Sequence, residues 1–318
     1  MKIPVLVVGY ARPAGVLRIL ESLRDNDAKI YVFVDGQGSE LGKSTKLEFN
    51  NVISNFRREN PDKKIDFRYR SQNVGAAVNI IDSIDKCFEI EENLIVLEDD
   101  LIISYDFLDF VNFILPKVAH ETKIKMIAGT NSFSNNSSDL NLFWSTYPIV
   151  WGWATTKDKW KDLRKALFEQ NFSRVNYSSL STYYYFRSGK MGSLNGLIDA
   201  WDLPLAGSFH SKNWICLIPP KNLVSNIGFD TNATHTIADR WPLRMPIESL
   251  NSENLEPVNL SNNLCLDSEI ERNIYRIKYW HLFSLVKQYL KPINWSPQTR
   301  SLSRRMLHAR QNYQLGKE

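Results

Sequence analysis

The first hundred residues alternate short β-branched runs with longer amphipathic segments, and this alternation limits the possible folds more than any other feature. Apolar runs of four to six residues predict strands, and the segments between them predict helices. The predicted strands are Ile3–Val8, Ile30–Val34, Ile65–Tyr69 and Leu94–Leu97. The predicted helices lie near Ala14–Leu23 and Ala76–Phe88, and a mixed segment runs through Phe56. Such an order favours βαβ units, a parallel sheet and right-handed crossovers.

The composition fits a folded globular protein. The chain has 318 residues, of which 43% are hydrophobic and 23% charged. These values exclude a collagen-like or disordered chain and suit two domains, or one large α/β domain with appendages. The 39 Lys and Arg residues exceed the 35 Asp and Glu residues by four, which is too little to indicate a nucleic-acid partner.

The cysteines and the N-terminus favour the cytoplasm. Cys87, Cys216 and Cys265 lie far apart and form no CxxC pair, so we expect neither a zinc framework nor a disulfide scaffold. The apolar run Ile3–Val8 is too short for a signal sequence or a membrane span.

The middle of the chain continues the α/β pattern and then becomes aromatic. We expect a helix over Ser104–Val118, a strand at Met126–Ala128 and a loop at Asn131–Asn141. The aromatic stretch that follows predicts either a core layer or a wall on which a sugar stacks. It contains Trp144, Tyr147, Trp151, Trp153 and Trp160.

The C-terminal part has the pattern of a helical appendage. Residues Asn251–Asn263 are polar and interrupted by proline, which is typical of a linker. The pattern Ser268-x-x-Glu271 predicts a capping box at the start of an amphipathic helix. After Pro297, arginines alternate with apolar residues. Such a tail can lie on an anionic membrane surface or dock on its own catalytic domain.

Three consecutive carboxylates, Glu98-Asp99-Asp100, follow the predicted strand Leu94–Leu97 directly. In parallel sheets, ligands bind at the carboxyl ends of the strands. Clustered carboxylates are costly to desolvate unless a cation compensates them, and their hard oxygens suit Mg²⁺ or Mn²⁺ held together with substrate phosphates. The alternative is an acidic N-terminus for the helix that begins near Ser104.

Polar residues also follow the other three strands of this predicted sheet. Arg12 offers a fixed cation suited to a diphosphate or a planar base. Asp35 is placed to accept hydrogen bonds from a ribose or base, or to cap its own loop. Asn73 suits a contact to a nucleoside, or an ordinary turn.

Taken in order, these segments resemble a known family. Val-Val-Gly-Tyr-x-Arg, Val-Asp-Gly, Gln-Asn-Val-Gly, Leu-Glu-Asp-Asp and Trp-Gly-Trp-Ala, with a later Trp-Asp, look like the GT-A nucleotide-sugar glycosyltransferases. Among these, the chain is most similar to bacterial proteins related to the N-acetylglucosaminyltransferase I type. The resemblance covers roughly residues 1–240, and the Glu-Asp-Asp and Trp-Gly-Trp-Ala segments are its most specific parts.

The resemblance implies a role for each of these strand-end residues. Glu98-Asp99-Asp100 would be the family's DxD-type element, with Asp100 as the direct metal ligand for Mn²⁺ or Mg²⁺. Glu98 and Asp99 would then face the donor, Asp99 at its sugar or ribose. Asp35 and Asn73 would hold the nucleoside, and Arg12 the nucleotide end.

Two later segments complete the implied site. The family's catalytic base follows a Trp, which points to Asp202, with Asp199 as the fallback. A carboxylate there would take the proton from an acceptor hydroxyl that attacks in line with the leaving group, so the anomeric centre would invert. The segment Asn222–Asp230 and the following Ala-Thr-His-Thr also look like these relatives, which makes His235 a second metal ligand or a phosphate contact, with Gly228 in a turn.

The implied architecture is an α/β fold with a GT-A (Rossmann-like), mostly parallel sheet flanked by helices. We expect a catalytic domain at 1–245, divided near residue 120 into nucleotide-binding and acceptor halves. A linker at 246–267 and a helical basic appendage at 268–318 would follow.

The implied function is a metal-dependent, inverting glycosyltransferase of bacterial surface polysaccharide assembly. It would transfer a sugar, most plausibly from a UDP-sugar, to a saccharide or lipid-linked acceptor. It would be cytoplasmic, or peripheral at the inner membrane face through its tail. Two alternatives stay open: a nucleotidyltransferase, although Gly-Tyr-Ala-Arg-Pro is poor in glycine for a triphosphate loop, and a catalytically degenerate GT-A domain that binds carbohydrate or acts as a scaffold.

Overall fold

The structure, a computed structural model, describes residues 2–37, 40–131, 141–169, 180–196, 199–228, 245–255 and 265–275. The strands in these ranges are β1 (Val5–Gly9), β2 (Ile30–Val34), β3 (Ile65–Tyr69), β4 (Asn93–Glu98), β5 (Leu101–Ile103), β6 (Ile124–Ala128), β7 (Phe143–Ser145), β8 (Trp153–Thr156), β9 (Ile215–Ile218) and β10 (Val224–Asn226). The helices are α1 (Pro13–Ser22), α2 (Glu40–Glu59), α3 (Ala76–Phe88), α4 (Asp106–Val118), α5 (Lys157–Phe168), α6 (Leu180–Leu194), α7 (Asp202–Ser211) and α8 (Asp267–Ile270).

A mixed, mostly parallel sheet forms the centre of the fold. Its strand order is β3-β2-β1-β4-β8-β6-β9-β7. Strands β3, β2, β1 and β4 are all parallel, whereas β8 is antiparallel to both of its neighbours. A short antiparallel pair of β5 and β10 lies outside this sheet. The predicted α/β fold with helices flanking a mostly parallel sheet is therefore confirmed.

Strands β1 and β2 are apolar and buried along their whole length because helices cover both faces of the sheet. Successive side chains point to opposite faces, so Val5 and Val7 pack on one side and Leu6 and Val8 on the other. Helices α1, α2 and α4 pack with Val5 and Val7 in the core on one face of the sheet. Helices α3, α5 and α7 pack with Leu6 and Val8 in the core on the other face. Four parallel strands consequently end at one well-supported edge.

Helix α2 corrects the prediction of a mixed segment through Phe56. Its mean hydropathy is low, but Phe49, Ile53 and Phe56 recur at helical spacing and are buried against β2 and β3. This narrow apolar stripe was the signal for the helix, and the polar residues between its members obscured it.

The aromatic stretch is a core layer in its described central part. Trp153 and Tyr147 are fully buried, and Trp160 is nearly so. The Trp153 ring lies 6.3 Å from that of Trp160 and 5.6 Å from that of Trp201. Since these rings pack on one another beneath the sheet, they fix the position of Trp201 at the start of α7.

The described C-terminal residues pack on the same cores. Leu250 and Leu255 are buried, and the Leu250 amide donates to Asp106 Oδ2 at 2.8 Å. Residues 265–275, here called the C-terminal clasp, lie against β7. The capping-box prediction is wrong, because α8 begins at Asp267 with Leu266 as its N-cap residue, and the Glu271 carboxylate accepts from Tyr147 Oη instead, at 2.6 Å.

Within the described ranges, none of the helices combines the length and apolar character that a bilayer crossing requires. Most of the predicted basic appendage, from residue 276 onward, lies outside the described residues.

Candidate active site

The acidic triplet lies where four parallel strands end. Glu98 is the last residue of β4 and pairs in register with Val8 of β1. Asp99 and Asp100 form the turn that leads into β5, and the Asp99 amide donates to the Val8 carbonyl at 3.0 Å. Because β5 separates the triplet from α4, the carboxylates do not form the N-terminus of a helix.

Asp99 organises the loop between β1 and α1. Its buried carboxylate accepts from the Tyr10 amide at 2.9 Å and from Arg12 Nη1 at 3.0 Å. Burial raises the pKa of this carboxyl, although the Tyr10 and Arg12 donors oppose the shift. A side chain at Gly15 would collide with the Asp99 carbonyl, since its Cβ would lie 1.9 Å from that oxygen. The start of α1 is thus packed directly on the acidic turn.

Arg12 bridges two members of the triplet. Its Nη1 atom also lies 3.4 Å from Asp100 Oδ2, and about 30% of its side chain is exposed. The guanidinium therefore offsets part of the negative charge and still reaches solvent, where a diphosphate could contact it. The structure places the predicted nucleotide contact beside the acidic triplet itself.

Asp100 faces the segment that follows β10. The Ile227 amide donates to the Asp100 carbonyl at 2.9 Å, and a Cβ at Gly228 would lie 2.2 Å from Asp100 Oδ2. The expected turn at Gly228 is present, since its amide donates to Asn226 Oδ1 at 2.7 Å. His235, the predicted second ligand, lies outside the described residues, within 229–244.

Glu98 and Asp202 bring the remaining negative charge into this site. Removal of the Glu98 carboxyl from water, together with the charges of Asp100, Asp99 and Asp202, raises its pKa well above the ordinary range. Asp202 begins α7, which comes from the other half of the sheet. The fold therefore brings the predicted base and the acidic triplet together across more than one hundred residues.

The donor set suits a hard divalent cation in part. Mg²⁺ and Mn²⁺ both bind oxygen ligands such as carboxylates, and a cation stabilises carboxylates that crowd together. Among the described residues, no three Asp, Glu, His or Cys side chains converge closely enough to hold a metal alone. Asp100 would therefore share the cation with phosphate oxygens, as is common for Mg²⁺.

Asp35 holds the loop in front of α3. The side chain is only 3% exposed, and it accepts from the Gly36, Val74 and Gly75 amides at 2.9–3.2 Å. Burial raises the pKa of this carboxyl, and the three amide donors oppose that shift. The loop-capping alternative thus describes the contacts that Asp35 makes.

Asn73 and Tyr10 connect the ends of β1 and β3. Asn73 Nδ2 donates to Tyr10 Oη at 3.0 Å, while Asn73 Oδ1 accepts from the Gly75 amide at 2.9 Å. The Tyr10 ring is partly exposed above the strand ends. Tyr10 was not among the predicted site residues, although its place directly after β1 was the available signal.

The side chain of Asp199 contacts the start of α3, next to the loop that carries Asn73. Its two carboxylate oxygens accept from the Ala76 and Ala77 amides at 3.0 and 3.1 Å. The predicted residues thus form two neighbouring groups at one edge of the sheet. Arg12, Glu98, Asp99, Asp100 and Asp202 form the first; Asp35, Asn73 and Asp199 form the second.

The C-terminal clasp packs against the end of β7 and against α6. Asp267 accepts from Ser145 Oγ at 2.7 Å, the Thr146 amide at 2.8 Å and Thr146 Oγ1 at 2.6 Å. Tyr275 packs on Phe186 with a ring separation of 4.9 Å. Burial raises the pKa of Tyr275, and the Asp202 carboxylate raises it further, which shows that the clasp reaches the neighbourhood of the candidate base.

No protein-family model and no curated protein matches the sequence. Solved structures with a similar fold include a mannosyltransferase from Pyrobaculum calidifontis in complex with GDP-Man and Mn²⁺. It is 9% identical, with a TM-score of 0.37, and the match covers 67% of this chain and 69% of that one. A mannose-1-phosphate geranyltransferase from Thermus thermophilus is 11% identical, with a TM-score of 0.34 and coverages of 69% and 74%. These likenesses are too distant to assign a family.

Proposed function

We propose that the chain is a metal-dependent, inverting glycosyltransferase. It transfers a sugar from a nucleotide-sugar donor, most simply a UDP-sugar, to a saccharide or lipid-linked saccharide of bacterial surface polysaccharide assembly. The observation that carries the proposal is the contact of Arg12 with Asp99 and Asp100 at the end of β4, where the charge of Asp202 also acts on Glu98.

The donor side of the reaction belongs to the triplet and Arg12. A divalent cation supplies charge neutralisation for the departing diphosphate. Asp100 is the protein ligand in this proposal, and Arg12, which lies beside Asp100, contacts the diphosphate. Asp99 keeps Arg12 in place through the 3.0 Å ion pair and holds the Tyr10 backbone at the same time.

The acceptor side belongs to Asp202. A general base must lie within hydrogen-bond reach of the proton that it takes. Asp202 is the first residue of α7, and its charge is among those that raise the pKa of Glu98. In the proposed reaction it takes the proton from an acceptor hydroxyl, whose oxygen attacks the anomeric carbon as the bond to the diphosphate breaks. Attack opposite the leaving group inverts the anomeric centre.

The test separates donor binding from transfer. Purified protein is assayed with nucleotide sugars and Mn²⁺ for slow donor hydrolysis and for transfer to oligosaccharides, with NMR detection of the anomeric product. Asp100→Ala should abolish metal-dependent donor binding. Asp202→Asn should retain donor binding and lower transfer by about 100-fold or more, the range for loss of a general base.

The matched control is Asp158→Asn, a substitution of the same type at a side chain that is 87% exposed. It should leave both activities unchanged. Transfer at the wild-type rate by Asp202→Asn would show that the base is wrongly assigned. A wild-type protein that neither binds nor hydrolyses any nucleotide sugar would contradict the transferase proposal and favour a degenerate, carbohydrate-binding domain.

A further inference from the structure

Helix α3 begins without a capping side chain of its own. Its N-cap residue is Gly75, and its first turn contains no acidic residue. The first amides of a helix have no partner within the helix, and a Ser, Thr, Asp or Asn side chain at the N-cap usually satisfies one of them. The start of α3 therefore depends on groups from elsewhere in the chain.

Two distant carboxylates satisfy four consecutive amides at this point. Asp35 accepts from Val74 and Gly75, and Asp199 accepts from Ala76 and Ala77, all at 3.0–3.2 Å. Asp199 follows Ala76 and Ala77 by 123 and 122 residues in the sequence. The bonds therefore fasten the segment before α7 to the loop that carries Asn73.

Gly75 is adapted to this arrangement. Its φ of +90° lies in the region that side chains rarely adopt, and a Cβ there would lie 2.9 Å from Asp199 Oδ2. The backbone conformation and the close approach of the carboxylate thus require glycine at the same position.

The residues between Asp199 and Asp202 are held as well. The Ala200 carbonyl accepts from Ser193 Oγ at 2.6 Å, and the buried Trp201 ring stacks on Trp153. Asp202 follows immediately as the first residue of α7. The backbone that leads into Asp202 is therefore held at Asp199, Ala200 and Trp201, and of these anchors Asp199 is the one bonded to the start of α3.

We infer that Asp199 is a positioning residue, which holds Asp202 in place against the donor half of the site and does not itself take the acceptor proton. The inference rests on the proposed function, in which Asp202 is the base. Both oxygens of Asp199 are directed at α3, so the residue acts on the reaction through the segment that it fastens.

The kinetic test is a double-mutant cycle between Asp199 and Asp202. Asp199→Asn keeps one acceptor oxygen and Asp199→Ala keeps none, so kcat for transfer should fall about 3-fold and at least 10-fold, respectively. The KM for the donor should change by less than twofold, because the contacts that bind the donor in the proposed function, Arg12 and the acidic triplet, are held by bonds of their own rather than by Asp199. In the Asp202→Asn background, either change should alter the residual rate by less than twofold, since there is then no base to position. Asp158→Asn is the control.

Equal losses in both backgrounds would overturn the inference, as would wild-type kcat in Asp199→Ala. Loss of 100-fold or more in Asp199→Asn with normal transfer in Asp202→Asn would make Asp199 the base. A separate readout does not need activity: amide hydrogen exchange at residues 74–80 should accelerate in Asp199→Ala. Unchanged exchange would overturn the fastening directly. If exchange accelerates but the wild-type protein has no transfer activity, the proposed function is wrong. The role of Asp199 in catalysis is then wrong as well, although Asp199 still fastens α3.

Discussion

Substitution of Asp267 tests whether the C-terminal clasp is part of the folded catalytic domain. Its carboxylate accepts three hydrogen bonds, from Ser145 Oγ and from the amide and hydroxyl of Thr146. The Thr146 hydroxyl donates its hydrogen bond to Asp267. Thr146 Oγ1 therefore accepts a hydrogen bond from His210 Nδ1, which lies 2.8 Å away. Ser145 is fully buried and Thr146 is only 8% exposed, so water cannot readily replace the lost acceptor.

The magnitude follows from the donors that Asp267→Ala would leave behind. A buried polar group without its partner costs about 1–3 kcal/mol, and Asp267→Ala removes the acceptor of three such donors. We therefore expect the free energy of unfolding to fall by about 4 kcal/mol. For a protein of this size, Tm should fall by roughly 8 °C.

The assay is urea unfolding followed by circular dichroism, with Tm as the second readout. The control is Glu253→Ala, which removes an exposed carboxylate from the 3₁₀ turn at Ser252–Asn254 and should change stability by less than about 0.5 kcal/mol. A loss below about 1 kcal/mol in Asp267→Ala would refute the reasoning, because the clasp would then not be held by these bonds.

Two further predictions concern the site and the core. Gly228→Ala places a methyl group against Asp100 Oδ2. The Mn²⁺-dependent affinity for nucleotide should therefore fall about tenfold or more, with little change in Tm. If calorimetry shows an unchanged affinity, Asp100 does not hold the metal. Burial raises the pKa of Cys87 to about 12, so the folded chain keeps this proton between pH 9 and 12 while the unfolded chain loses it. Over that pH range, the free energy of unfolding of the wild type should therefore decline by roughly 1.4 kcal/mol per pH unit more than that of Cys87→Ala. Equal declines of the two proteins in urea titrations would contradict this prediction.

The first half of the fold is readable from local sequence pattern. The predicted strands Ile30–Val34 and Ile65–Tyr69 and the predicted helix Ala76–Phe88 have the bounds that the structure shows. In β2 a run of apolar residues is buried throughout, and in α3 the helical apolar period agrees with the buried face. Helix α2 was missed because its apolar stripe is narrow and most of its residues are polar.

Of the candidate site, the local sequence pattern predicts only the residues that directly follow a strand. The acidic triplet follows β4 in the sequence, so the sheet rule places it at the ligand-binding edge. By contrast, Asp35 and Asp199 bind amides 39 or more residues away, and Glu271 bonds to Tyr147 across 124 residues. Local spacing carries no information about such partners, and for Glu271 the tertiary bond prevailed over the predicted capping box.

The most direct measurement of the central claim is nucleotide binding at the acidic triplet. Wild-type protein and Asp100→Ala are mixed with UDP, GDP, CMP or dTDP, with Mn²⁺ or with chelator, and Tm is recorded. A ligand at 100 times its Kd adds about 2.7 kcal/mol of stability, which is a shift of several degrees. We expect that one nucleotide raises the wild-type Tm only with Mn²⁺ and that Asp100→Ala loses this shift. No shift with any nucleotide in the wild type, or the same shift in Asp100→Ala, would contradict it.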